Sequence, residues 1–213
     1  STTMSEVTRV YAGRLAGMVV RGPETDVIGR VRDVVVNVRP AGHQSRVLGL
    51  VVEMTNKRRI FLPMLRIASI DPHEIMLVSG SVSLRAFQPR TGELTIMGDI
   101  IGAKVQVDDP DLPKIHAKPV EVADIEIERT RTRDWAISAV AVISERAKFG
   151  RRTEILIASW RHVHGITAAG VGISDAAAEL LAEFEDMRPA DVATALYELP
   201  RSEERRVGKE CRS

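Results

Sequence analysis

Four acidic residues near the C-terminal end of the sequence are the candidates for metal chemistry. Glu183, Glu185 and Asp186 lie close together in the stretch EFEDM, and Asp191 follows five residues later. Carboxylate oxygens are the ligands that a hard cation such as Mg²⁺ prefers. The same pattern is typical of a solvated acidic helix face, and Asp191 falls where a carboxylate stabilises the positive start of a helix. Both interpretations stay open for these residues.

Two histidines form a second pattern typical of metal sites. His162 and His164 alternate, so on a strand they would share one face, as two ligands would. A structural zinc site needs four ligands, and the sequence offers no third or fourth candidate. We therefore do not expect a metal at this pair.

The sequence contains none of the common catalytic motifs. It lacks a nucleophile elbow, a phosphate-binding glycine loop and a His-Glu pair at metal spacing. Trp135 and Trp160 are expected to pack in a core with a polar edge, rather than to form a platform for a ligand. The sequence therefore predicts a protein that is not an enzyme.

Three arginines form the candidate nucleic-acid contact. Arg129, Arg131 and Arg133 occupy alternate positions, so they would project from one side of an extended segment and could contact phosphates. The runs at 57–59 and 150–152 are also basic. Against this hypothesis, the chain has 30 Lys and Arg against 29 Asp and Glu, and its aromatic share is only 4%. Charges that protect exposed sheet edges are the alternative explanation.

The elements that must position these residues form an internal repeat. Four apolar runs of the first half return in the same order in the second half. The pairs are 15–20 with 100–105, 31–37 with 122–128, 47–54 with 136–143, and 60–67 with 155–162. Their spacing changes only across polar stretches, where loops tolerate insertion. We infer two copies of one small unit, with chance similarity between strands as the alternative.

Each copy is predicted to form β-structure. Its apolar runs are short, rich in valine and bounded by glycine, proline or polar residues. In the second copy, Ile125 and Ile127 alternate with Glu126 and Glu128, which is the period of a half-exposed strand. Short strands at close spacing predict small barrels, because a closed barrel leaves few bare edges. The predicted fold class is mainly β, with two small barrels and a short C-terminal α-helical segment.

The periodicity changes at Ser174, which is placed to cap a helix. The apolar stripe of this predicted helix consists of Ala177, Leu180, Leu181, Phe184 and Met187. A second helix is predicted within 189–200, with Pro189 in its first turn and Pro200 at its end. Since two short helices bury too little surface to stand alone, we expect that more helices followed in the natural protein.

The last thirteen residues, 201–213, differ from the rest of the chain. They hold the only cysteine, eight charged residues and a single apolar side chain, Val207. The string resembles the in-frame translation of a common sequencing-library adapter, and a solvated charged tail is the alternative. We expect a non-native tail and exclude it from the fold. Without it, no disulfide or thiolate metal site can form.

The first copy resembles a known family. The pattern LAGMVVRGPETDVIGRVRDVVVN, followed by RVLGLVVEM and RRIFLPMLRIASID, is similar to the PRC-barrel, the small β-barrel of reaction-centre H subunits and ribosome-maturation factors. Together with the repeat, this resemblance predicts one barrel-like unit at 13–88 and a second at 93–167.

The helical end resembles a second family. The stretch MRPADVATALYELP is similar to the opening of the cytosolic N domain of MgtE-type magnesium transporters. The residues that carry this resemblance are Pro189, Ala190, Asp191, Val192, Ala193, Leu196, Glu198, Leu199 and Pro200. We expect 173–200 to be the truncated start of such a domain. Because the pattern stops after about two helices, the metal-sensing carboxylates of the family cannot be assigned to positions here.

The combined resemblance implies a function. Bacterial proteins of this kind often carry CBS domains after the N domain and lack a transmembrane pore. The expected function is a non-enzymatic regulatory or scaffold protein, related to the Mg²⁺-sensing part of MgtE-type transporters. Its expected partners are another protein or CBS domains, and Mg²⁺ would bind the full-length form. The alternative is an RNA- or ribosome-associated PRC-barrel protein of the ribosome-maturation-factor type.

The sequence also bears on localisation. No apolar run approaches the roughly 18 residues that a membrane helix needs. The start STTMSEVTRVYAG lacks the basic and apolar pattern of a secretion signal. We therefore expect no membrane insertion and a cytoplasmic location.

Overall fold

A computed structural model describes residues 6–39, 43–78 and 85–171 of the chain. Within these residues the protein is mainly β, as the sequence predicts. The helical segments of these residues lack the length and hydropathy that a membrane-spanning helix requires. The predicted helices within 173–200, the acidic candidates Glu183, Glu185, Asp186 and Asp191, and the tail at 201–213 lie outside the described residues.

The first half consists of short strands around two long ones. The strands are β1 (Arg9–Tyr11), β2 (Val19–Arg21), β3 (Val27–Asn37), β4 (Arg46–Met54), β5 (Arg59–Pro63), β6 (Ile67–Ile70) and β7 (Glu74–Leu77). A single helical turn, α1 (Ala12–Leu15), separates β1 from β2, and a 3-10 turn at Met64–Arg66 joins β5 to β6.

The second half repeats this order of elements. The strands are β8 (Glu93–Thr95), β9 (Lys104–Val107), β10 (Pro119–Arg129), β11 (Trp135–Glu145), β12 (Glu154–Ser159), β13 (Val163–His164), β14 (Ile166–Thr167) and β15 (Gly170–Val171). A π-helical turn at Ile96–Ile100 takes the place of α1, and a 3-10 turn at Trp160–His162 joins β12 to β13. A further 3-10 turn, Pro113–Ile115, lies between β9 and β10.

The strand pairing is also similar in the two halves. β2, β3, β4 and β5 are antiparallel neighbours in that order, and so are β9, β10, β11 and β12. In the second half β13 pairs directly with β9. In the first half β6 reaches the same side through β7, which lies parallel to β2.

The two halves exchange their first strands. β1 of the first half pairs with β10, where Arg9 is opposite Glu128 and Tyr11 is opposite Glu126. β8 of the second half pairs with β3, where Val35 is opposite Thr95. β4 and β11 also meet, at Arg46 and Ala136. As a result, strands of both halves belong to one sheet of 13 strands within the described residues.

The core draws on apolar residues of both halves. Ile125 and Ile127 of β10 are fully buried while Glu126 and Glu128 reach solvent, as the alternation in the sequence predicts. Val34 and Val36 of β3 belong to the same hydrophobic cluster as these isoleucines. The exchange of strands therefore accompanies a shared core.

Candidate functional site

Asp33 is the carboxylate that binds the helical turn of the second half. It follows an irregularity in β3 between Val31 and Asp33, and such bulges redirect side chains. Its Oδ1 accepts hydrogen bonds from the backbone amides of Val34 and Met97, each at 2.8 Å. Its Oδ2 accepts another from Gly98 at 3.0 Å. Asp33 therefore satisfies amides at the start of the turn Ile96–Ile100, which lack partners within the turn.

Asp124 does the same for the first half. It follows an irregularity in β10 between Val122 and Asp124. Its Oδ1 accepts hydrogen bonds from the backbone amides of Ile125 at 2.8 Å and of Gly13, in α1, at 3.0 Å. A Cβ atom on Gly13 would lie only 2.6 Å from Asp124 Oδ2, so this approach depends on glycine. The two aspartates therefore have structural roles.

Asp109 and His162 form the third polar contact near the core. Asp109 Oδ1 accepts a hydrogen bond from the Asp111 amide at 2.9 Å, and its Oδ2 lies 3.2 Å from His162 Nδ1. The pKa of Asp109 is lowered, first by the Asp111 amide and then by the His162 ring. No well-aligned hydrogen bond reaches His162 Nδ1 among the described residues. The contact fastens the 3-10 turn at Trp160–His162 to the loop after β9.

An open groove of about 710 Å³ lies next to the hairpin β14–β15. We call it the C-terminal groove. Its walls come from the end of β12, the start of β11 and the segment 163–169, and they include Ile137, Ser159, Trp160, His164 and Ile166. Apolar side chains contribute most of the exposed lining, although Arg39 and Arg161 also line the groove, so it can take an apolar side chain of a protein segment.

A patch of aliphatic side chains covers the outer face of β11 and β12. Ala141 is opposite Ile157, and Ile143 is opposite Ile155, so the four side chains share one face. Ile155 and Ile157 are 51% and 50% exposed. We call these four residues the outer patch. These two isoleucines therefore leave apolar surface exposed on this face.

A cationic depression lies at the other end of β12. It is lined by Glu121, Glu145 and six basic residues, namely Lys104, Lys118, Arg146, Lys148, Arg151 and Arg152. Arg146 pairs with Glu121. No carboxylate of the described residues lies within ion-pair distance of Lys148, Arg151 or Arg152. These three cations are therefore available to an acidic partner.

The three arginines of the nucleic-acid hypothesis do not form a row on one strand. Arg129 ends β10 and is paired with Glu6. Arg131 and Arg133 lie in the following turn, where the Arg133 amide donates to the Thr130 carbonyl and Arg133 has φ +65°. The expectation of an extended segment was wrong at this point, because the chain turns back after β10 to form β11.

The two histidines and the two tryptophans considered in the sequence analysis lie in different surroundings. His162 contacts Asp109, whereas His164 lines the C-terminal groove. Trp135 is buried in the core, while Trp160 packs against the core and also lines the groove. Among the described residues, no group of three or more His, Cys, Asp or Glu side chains could hold a metal ion.

Sequence reasoning missed the two aspartates and the outer patch. Asp33 and Asp124 are each the third residue of the matched runs 31–37 and 122–128, so the repeat contained the signal. The outer patch had a weaker signal. The run EILIAS has isoleucines where a wet strand face would carry polar residues.

Comparison with known protein families finds a match over part of the second half of the chain. A family model described as an actinomycetes SH3 domain matches residues 94–169. The matched stretch begins in β8 and ends in the hairpin β14–β15, so it contains β9 to β13. No curated protein matches the chain.

Proposed function

We propose that the protein is a non-enzymatic regulatory or scaffold protein in which two barrel units support a helical domain related to the Mg²⁺-sensing part of MgtE-type transporters. The observation that carries this proposal is the C-terminal groove, because it lies next to the last described strands, which precede the predicted helical region in the sequence. The pairing of β13 with β9 supports a closed second unit. The resemblance of 189–200 to the transporter N domain supports the sensing role.

The positions of the polar residues support a role without catalysis. Asp33 and Asp124 accept backbone hydrogen bonds, and Asp109 is engaged by Asp111 and His162. Carboxylates used in this way hold the fold and are not free to move protons. The open surfaces are instead a groove of mixed apolar and basic lining, an aliphatic patch and a cationic depression, which together suit protein docking.

A Mg²⁺ titration of the natural full-length protein tests the sensing role. A ligand that binds only the folded state stabilises it, so we expect the melting temperature to rise with millimolar Mg²⁺. NaCl at equal ionic strength is the control. The variant Glu183→Gln/Glu185→Gln/Asp186→Asn should lose the rise if these carboxylates hold the cation. An equal shift with NaCl, or none with Mg²⁺, would contradict the sensing role.

Nucleic-acid binding is the second candidate, and the cationic depression is the observation that favours it. Binding through phosphates releases counterions, so affinity for RNA would fall steeply with salt. We would compare Arg131→Ala/Arg133→Ala with Arg151→Ala/Arg152→Ala in filter binding at two salt concentrations. Arg129 is left unchanged because it pairs with Glu6. RNA binding whose affinity does not change with salt, or that neither variant weakens, would exclude the nucleic-acid function.

A further inference from the structure

The matching edge strands of the two halves differ in what covers them. In the first half, downstream chain lies along β5. The Phe87 amide donates to the Arg59 carbonyl at 3.0 Å, and Ala86 forms a bridge with Ile60. In the second half, β12 pairs only with β11 among the described residues, and its isoleucines are half exposed. Within 6–39, 43–78 and 85–171, one of the two equivalent edges is therefore uncovered.

We propose that the segment 174–187 of the same chain covers β12, with its apolar stripe on the outer patch and its acidic residues at the cationic depression. This inference goes beyond the proposed function, because it requires neither Mg²⁺ nor a second protein. Four observations support it: where the described chain ends, the length of the segment, its apolar stripe and its charge.

The described chain ends close to one end of β12. Val171 is opposite Ile166 in the hairpin β14–β15, and Ile166 lines the C-terminal groove. Ser159, the last residue of β12, lines the same groove. Only two residues separate Val171 from Ser174. A segment that starts at Ser174 can therefore begin near Ser159 and run back along β12.

The length of the segment fits the strand. As an α-helix, 14 residues span about 21 Å. The six residues of β12 span about 20 Å. The predicted apolar stripe has Leu180, Leu181 and Phe184 near its middle, and in this arrangement they would reach the level of Ile157 and Ile155. Covering these isoleucines would remove apolar surface from water.

The charge at the far end of the segment agrees with this direction. The acidic residues Glu183, Glu185 and Asp186 stand at the C-terminal end of the segment. In a helix that runs antiparallel to β12, this end reaches the cationic depression, where Arg151 and Arg152 have no ion pair among the described residues. The C-terminal groove is also lined by basic residues, Arg39 and Arg161, so charge alone does not fix the direction. The chain connection sets the orientation, and the charge of the cationic depression agrees with it.

Hydrogen exchange followed by mass spectrometry on the full chain tests the proposal. In the wild type, peptides within 176–187 should exchange at least about tenfold more slowly than an unstructured chain, because docked amides open rarely. Ile157→Asp should remove this protection, since it places a charge in the outer patch. The control is Leu65→Asp, which places the same charge at an apolar position of the first half that is even more exposed, at 89%. It should leave the protection unchanged.

Charge reversal gives a second test that does not touch the apolar patch. Arg151→Glu/Arg152→Glu should weaken protection of 176–187, and adding Glu183→Lys/Asp186→Lys should restore it. Lys57→Glu/Arg66→Glu, at exposed sites of the first half, controls for net charge. Near-ultraviolet circular dichroism checks that each variant is folded.

Three results would overturn the proposal. One is exchange in 176–187 of the wild type as fast as in an unstructured peptide. Another is protection of 176–187 that stays unchanged in both Ile157→Asp and Arg151→Glu/Arg152→Glu. The third is protection that appears only at high protein concentration together with a dimer, because β12 would then be covered by a second copy. None of these results depends on Mg²⁺ binding, so the proposed sensing role is tested separately.

Discussion

Asp33 and Asp124 occupy matching positions in the two halves, and each binds the helical turn of the opposite half. Asp33 accepts from Met97 and Gly98, and Asp124 accepts from Gly13. Together with the exchanged strands β1 and β8, these bonds cross from one half to the other in both directions. The two halves should therefore unfold together.

Asp33→Ala tests this coupling. The change leaves the amides of Met97 and Gly98 without their acceptor, so the free energy of unfolding should fall by roughly 2 kcal/mol. Urea denaturation, followed by circular dichroism and by tryptophan fluorescence, measures it. Both tryptophans, Trp135 and Trp160, lie in the second half, although the substitution is in the first. The two signals should still give one coincident transition.

The control for this change is Asp108→Ala, an exposed aspartate close in sequence to Asp109. It should alter the free energy of unfolding by less than about 0.5 kcal/mol. A fluorescence transition that keeps its wild-type midpoint in Asp33→Ala, while the dichroism transition shifts, would mean that the halves unfold independently.

Gly49→Ala should destabilise the first half through backbone crowding. A Cβ atom at Gly49 would lie 2.3 Å from the Leu62 carbonyl oxygen and 2.6 Å from the Phe61 ring. Because the carbonyl cannot move without disturbing the pairing of β4 with β5, we expect a loss of about 1–3 kcal/mol. Thermal unfolding measures this loss.

The control lies at the matched position of the second half, Ser138. Ser138→Ala removes a hydrogen bond to Glu126 and should lower the free energy of unfolding by no more than about 1 kcal/mol. Equal stability of Gly49→Ala and the wild type would refute the crowding argument.

Asp109 should make the protein sensitive to acid. Its pKa in the folded state is lowered below its ordinary value of 3.8, mainly by the Asp111 amide. The unfolded state therefore binds a proton at a higher pH than the folded state does, and the stabilisation is present above pH 3.8. It is lost as the pH falls through the folded pKa. Asp109→Asn should thus be less stable than the wild type at neutral pH, and the difference should shrink in acid.

Urea denaturation between neutral pH and strong acid measures this difference. Asp108→Asn removes one exposed charge nearby and serves as the control. A gap between wild type and Asp109→Asn that stays constant down to the most acidic sample would show that the Asp109 carboxylate does not carry the effect.

Lys114 should contribute little despite two carboxylate partners. Its Nζ lies 2.8 Å from Glu154 Oε2 and 3.3 Å from Glu145 Oε1, and these partners raise its pKa. The three side chains are about half exposed, so water and salt screen the attraction. Lys114→Met should therefore leave the free energy of unfolding nearly unchanged, with a still smaller effect at high salt. A clear loss of stability, comparable to that of Asp33→Ala, would mean that this cluster anchors β12.

The long strands could be predicted from the sequence. Val34, Val36, Ile125 and Ile127 lie in β-branched runs with clear boundaries, and these runs became β3 and β10. The repeat of the two halves was visible for the same reason. Whether each unit ends at the proposed bounds of 13–88 and 93–167 stays a prediction.

The exchanged strands could not be predicted in the same way. β1 and β8 have three residues each, RVY and ELT, and neither sequence has a periodicity that identifies a strand. Their partners are chosen by tertiary packing, over more than 50 residues of chain. The arginine row failed for a local reason. Arg133 adopts a positive φ in a turn, and this cannot be inferred from alternating arginines.

The exchange of β1 also has a consequence for how the protein is made. Arg9 and its partner Glu128 are 119 positions apart. A ribosome adds about 5–20 residues per second. On the order of ten seconds therefore pass after the synthesis of β1 before β10 has left the ribosome and can pair with it. During this interval the N-terminal strand has no native neighbour along β10. Translation speed and chaperone access should therefore influence the yield of correctly assembled molecules more than they would for two units that mature one after the other.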